Sequence, residues 1–127
     1  MIELLNLKKK QKHYKINMEY LFVYGVFRDS AKGLLEKTTF CGKTTIDGEI
    51  YRVNEFYPGF VRNDNGRVVG DVYLVNPDIF PELDEFEGDE YIRTKIRTES
   101  DIECWIYEYI HDVSDFKKIR MGDWMLR

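Results

Sequence analysis

The chain has 127 residues, 43% of them apolar and 15% aromatic, which suits one domain with an ordinary hydrophobic core and excludes a disordered polymer. Its net charge of −4 is uneven: residues 1–17 hold five lysines against Glu3, a net +4, while 14 basic and 22 acidic residues leave the remainder at −8. An acidic body argues against nucleic acid as a partner, no apolar run is long enough to span a membrane, and Cys41 and Cys104, far apart without CxxC spacing, fit free thiols in the cytoplasm.

The composition changes at Met18, so residues 1–17 read as a basic, flexible N-terminal extension and 18–127 as the folded domain. "EYLFVYG" (19–25) is a short aromatic and β-branched run ending in glycine, which predicts a buried strand and a sharp turn. "VFRDSAKGLLEK" has loop character, with Ser30 as a turn or cap residue. "TTFCGKTTIDGEIYRV" alternates around glycines and predicts strand, bend, strand. "EFYPGFVRNDNGRVVGDVYLVN" places the turn chemistry of "YPG" and "NDNG" between Val/Tyr-rich runs and reads as a hairpin. "YIRTKIRTES" and "IECWIYEYIH" predict two antiparallel strands joined through "ESD". Six or seven short strands with one or two short helices make an α+β domain on a small mixed, barrel-like β-sheet.

The clearest helix lies within "NPDIFPELDEFEG", which is crowded with carboxylates. With Ile79 at zero and roughly 100° per residue, Phe80, Leu83 and Phe86 fall on one apolar arc. Glu87, at roughly 80°, falls inside that arc, whereas Glu82, Asp84 and Glu85 fall outside it and read as solvated decoration. A carboxyl there, on the last turn before Gly88, is desolvated and near the negative end of the helix dipole, and both effects raise its pKa. The same periodicity also allows Glu87 to swing into water or to pair with Arg93.

Other candidates carry less. His13 and His111 stand apart, the two cysteines are scattered, and no phosphate-loop glycine pattern occurs, so no metal, nucleotide or other cofactor is expected. Cys41, Cys104 and most tyrosines read as core and strand material.

Five pieces in register resemble the γ-glutamylcyclotransferase-like superfamily, which includes the γ-glutamylamine cyclotransferases and AIG2-like proteins. They are "LFVYGVFR", "GEIYRVNEFYPGFV", "VVGDVYLV", "LDEFEGDEYIR", and "ECWIYEY" followed by "GDW", covering about residues 19–124. The resemblance implies a reaction that releases an amine from a γ-glutamyl amide and closes the remainder to 5-oxoproline. It implies that Glu87 is the catalytic acid/base, and that the backbone of Tyr24, Gly25, Val26 and Phe27 holds the γ-glutamyl group. Tyr91 and Arg93, close to Glu87 in the chain, are further candidates to line the pocket, with Arg93 equally suited to pair with the acidic helix. The partner is then a small γ-glutamyl amide or peptide. Val26 and Phe27 stand where the family has a small hydroxyl residue and a leucine, a departure that favours the alternative of a non-catalytic binding module for a γ-glutamyl or other amino-acid-like ligand. The oligomeric state is not set by the sequence.

Overall fold

The computed structural model describes residues 17–25 and 38–127. Apart from Asn17, the basic extension therefore lies outside the described residues, as do Ser30 and the rest of residues 26–37.

Eight strands among the described residues form one mixed sheet: β1 (Glu19–Val23), β2 (Thr39–Asp47), β3 (Glu49–Arg52), β4 (Pro58–Val61), β5 (Arg67–Val75), β6 (Tyr91–Arg97), β7 (Glu103–Tyr109) and β8 (Lys117–Lys118). The order is β2-β5-β1-β7-β4-β3-β8, with β6 paired to β7. Strand β2 ends that order and β3 lies near its far end, yet Gly48 alone joins them, so the sheet must curl back on itself. It is barrel-like in curvature and stays open, since no ladder joins β2 to β8.

Strand β1 shows why its sequence is continuously apolar. Tyr20 and Phe22, with Tyr24 just beyond, enter a core cluster with Ile46, Ile50, Phe60 and Trp124. Leu21 and Val23 point the other way, into a second cluster with Val75, Phe80, Leu83 and Tyr107. Both faces of the strand are covered, so period-two alternation of polarity disappears.

The second cluster is capped by the helix. Pro77–Ile79 forms a 3-10 turn, opened by Asn76, whose side chain accepts from the Asp78 N–H. Helix α1 (Phe80–Glu87) follows, with Pro81 in its first turn, where no amide donor is needed. Phe80 and Leu83 are buried as the wheel predicts, but Phe86 is 50% exposed. Its place in the core is thus corrected: the wheel gives a direction around the axis and not a depth, and half of this side chain stays open to solvent.

The hairpin expected across "NDNG" is also corrected. The turn forms, with Asn63 Oδ1 accepting from the Asn65 N–H at 2.7 Å. The flanking strands then separate: β4 pairs with β3 and β7, while β5 pairs with β2 and β1. "YPG" is no turn either, because Pro58 and Gly59 lie inside β4. Local turn chemistry reverses the chain, but partner choice follows burial, and β5, buried over most of its length, takes a central place. The β6–β7 hairpin forms as expected, with Arg93 opposite Tyr107.

Candidate active site

The last turn of α1, the end of β1 and the start of β4 converge on a pocket lined by Tyr24, Gly25, Pro58, Glu87, Tyr91 and Tyr107, among others. Gly88 makes this convergence possible. Its φ of 84° closes α1, its N–H donates to the Asp84 carbonyl at 3.1 Å, and the chain turns directly into β6. A residue with a side chain strains that conformation. Glu87 is thereby held at the helix end, facing the pocket.

Burial pushes the Glu87 carboxyl from its ordinary value of 4.5 up to about 7. No described residue offers it an ion pair or hydrogen bond, so desolvation acts without compensation. Arg93 does not reach it. That guanidinium instead binds Asp84, Nε to Oδ1 at 2.9 Å and the second nitrogen to Oδ2 at 3.2 Å.

Asp84 is therefore more than solvated decoration, which corrects the reading of the helix wheel. It also accepts from the Tyr107 hydroxyl at 2.6 Å, and Arg93 holds its carboxyl below the usual carboxylate range. Arg93 lies 4.1 Å from the Phe80 ring and 4.5 Å from that of Trp105, so its position is set by packing as well as charge. The trio fixes Tyr107 on the pocket wall. Because Asp84 is 44% exposed, Asp84→Asn is expected to lower stability by only about 1 kcal/mol, to be read from a thermal melt.

Tyr24 is buried and pins three strands. Its hydroxyl donates to the Tyr107 carbonyl at 2.6 Å and accepts from the Phe60 N–H at 3.2 Å. The Tyr91 hydroxyl donates to the Pro58 carbonyl at 2.8 Å. Burial raises the Tyr24, Tyr91 and Tyr107 phenols, and the nearby Glu87 charge adds to this, so all three stay protonated. Their hydroxyls are committed to protein acceptors, and the rings form an aromatic wall around one carboxyl.

Gly25 lies two residues beyond β1, at the pocket edge. A Cβ there would lie 2.9 Å from Pro58 Cδ and 3.0 Å from Cγ. Gly25→Ala should push the β1 turn off Pro58, and a loss of activity of tenfold or more in an enzymatic assay is expected if the turn positions substrate.

Of the residues picked from sequence, Tyr24, Gly25, Glu87 and Tyr91 come together here; Val26 and Phe27 lie outside the described residues. Sequence reading passed over Tyr107, Tyr57 and Pro58 as pocket residues. The "LDEFEG" segment held a signal for one supporting contact, since its aspartate, Asp84, is what Tyr107 grips. Among the described residues no three His, Cys, Asp or Glu side chains gather as a metal would need. Nor is any helix among them long and apolar enough to cross a membrane.

Fold and site define a small α+β domain whose pocket presents one desolvated carboxyl among aromatic rings. The chain belongs to the gamma-glutamyl cyclotransferase, AIG2-like family, whose model matches residues 21–126. Among solved structures it is similar to protein YtfP from Escherichia coli, at 33% identity over 84% of this chain and 96% of that one, with a TM-score of 0.67. An uncharacterised protein from Pyrococcus horikoshii aligns at 24% identity over 84% of this chain and 89% of that one, with a TM-score of 0.71. An AIG2-like protein from Mus musculus shares 22% identity over 78% of this chain and 82% of that one, at 0.68. The last two likenesses are of fold. A search of curated proteins found no match.

Proposed function

We propose that the domain is a γ-glutamylcyclotransferase-type enzyme that converts a γ-glutamyl amide to 5-oxoproline and a free amine. The observation that carries this reading is Glu87, a carboxyl near neutrality in a pocket, with no structural partner among the described residues. A carboxyl that only stabilised the fold would be paired; one left desolvated suits proton transfer.

The chemistry needs little else. The substrate's α-nitrogen attacks its own γ-carbonyl carbon, forming the lactam C–N bond and breaking the bond to the leaving nitrogen. The attack is intramolecular, so orientation supplies much of the acceleration. Glu87 takes a proton from the α-ammonium and returns it to the departing amine. Two protons leave the α-nitrogen in all, and both end on the released amine. The backbone at Gly25, continuing through Val26 and Phe27, holds the γ-glutamyl group and offers N–H donors to the oxyanion. The buried thiols of Cys41 and Cys104 fit a reducing compartment, and we place the reaction in the cytoplasm.

The test is 5-oxoproline release from a panel of γ-glutamyl amides, wild type beside Glu87→Gln. Release by wild type that disappears in the variant supports the enzyme. Binding of γ-glutamyl ligands with no release from any of them would instead support a binding module on the same fold.

The pH dependence follows from the carboxyl. As base, Glu87 must be ionised in the free enzyme, so kcat/KM should rise through an acid limb centred near pH 7. A paired surface glutamate would place that limb near its ordinary 4.5.

A further inference from the structure

The described arginines divide by partner. Arg62 pairs with Glu108 at 3.1 Å, Arg67 with Glu99 at 2.7 Å, Arg93 with Asp84 at 2.9 Å and Arg97 with Asp101 at 2.9 Å. Arg52, Arg120 and Arg127 pair with no carboxylate among the described residues, and all three line a single cleft with Lys117 and Lys118. That cleft shares no lining residue with the Glu87 pocket.

The fold brings these charges together against their repulsion. In the β3–β8 ladder Arg52 stands directly opposite Lys117, and like charges in that relation destabilise a strand pair. Arg120 is close enough to oppose the charge of Lys118. Among the described residues a carboxylate reaches Lys118 of this group, its Nζ 2.9 Å from Glu49 Oε2, and none reaches the others. Two of the guanidiniums are held in place by the buried Trp124 ring, with Arg127 at 4.1 Å and Arg52 at 5.6 Å from its centroid. In a body of net charge −8 this is a local cluster and not a general surface tendency. Exposed Met121 and Leu126 give the cleft an apolar side.

We propose that this cleft binds a small organic phosphate, with the phosphoryl group among Arg52, Lys117 and Arg120 and the organic body on Met121 and Leu126. A tetrahedral dianion can engage several forks and ammonium groups at once, whereas a single carboxylate satisfies one fork. A nucleic acid is a poorer occupant, because its flanking phosphates would meet the acidic body.

Titration of the full chain by amide NMR, with inorganic phosphate and with phenyl phosphate at constant ionic strength, tests this. Saturable shifts at Lys117–Met121 are expected with both, and tighter binding of phenyl phosphate. Lys117→Gln with Arg120→Gln, both exposed, should keep the amide spectrum and weaken binding about tenfold or more. Lys117→Gln alone should not lower Tm in phosphate-free buffer, since it relieves the repulsion with Arg52, and phosphate should raise Tm more in wild type than in the double variant. No saturable shift, the same shifts with chloride, phenyl phosphate binding no tighter than inorganic phosphate, or affinity unchanged in the double variant would each overturn the proposal.

Discussion

Replacing Glu87 by glutamine is expected to lower 5-oxoproline release by about two to four orders of magnitude, the range for loss of a positioned acid/base, while making the protein more stable above pH 7. The two effects have one cause. Folding raises the carboxyl from 4.5 to about 7. Between those values the folded state binds more protons than the unfolded one, so stability falls as pH rises. Above pH 7 the full cost is present, on the order of 3 kcal/mol as an upper bound for two to three pKa units. Glutamine keeps the size and carries no charge, so its gain should be largest at pH 8 and fade towards pH 4.5. Thermal melts across that range, run beside the activity assay, would show it. Equal melting temperatures for the two proteins at pH 8 would mean that the glutamate is well solvated or paired, and its role as base would lose its physical basis.

Trp124→Ala should be the most damaging substitution for stability, at about 3–5 kcal/mol, the range for truncating a buried tryptophan. The ring is 1% exposed and packs in the cluster that holds Phe22, Ile50 and Phe60. Its segment is also fastened by backbone bonds: the Val69 N–H donates to the Gly122 carbonyl at 2.8 Å, and the Ile119 N–H to that of Ile50 at 2.9 Å. Asp123 caps the 3-10 turn Trp124–Leu126 by accepting from the Met125 N–H. Loss of the indole leaves a cavity and removes the platform under Arg52 and Arg127. Because a domain of this size is stable by roughly 5–15 kcal/mol, Tm should fall by about 10 °C or more. Trp124 does not line the Glu87 pocket, so below the new Tm the folded protein should retain its kcat. A drop under about 1 kcal/mol would show that the "GDW" segment packs on a domain that is stable without it.

What the sequence disclosed depended on how local each feature was. Phe80 and Leu83 were legible as core because helical periodicity needs only neighbours in the chain; the same wheel put Glu87 inside the arc but left open a carboxylate in water or paired with Arg93, and it was the family resemblance that singled it out. Phe86 was not, since a wheel angle carries no information about whether a surface lies beyond the side chain. The β6–β7 hairpin was readable from alternation and its short "ESD" connection. The strand partners of β4 and β5 were not, because they are chosen among distant segments once the chain has turned at "NDNG". The contact of Asp84 with Arg93 and Tyr107 was hidden for a related reason: it exists only after the β6–β7 register sets Arg93 opposite Tyr107 and α1 lies over both. The cluster of Arg52, Lys117 and Arg120 was invisible in the chain, where the first lies far from the other two.

The most direct test of Glu87 as the working carboxyl needs no substrate. Its side-chain carboxyl carbon can be titrated by NMR in glutamate-labelled protein, with the resonance assigned by its absence in Glu87→Gln. A midpoint near 7, well above those of the other glutamates, is the expected result. A midpoint near 4.5 would contradict the assignment, because such a carboxylate is an ordinary solvated one with no special readiness to take and return a proton.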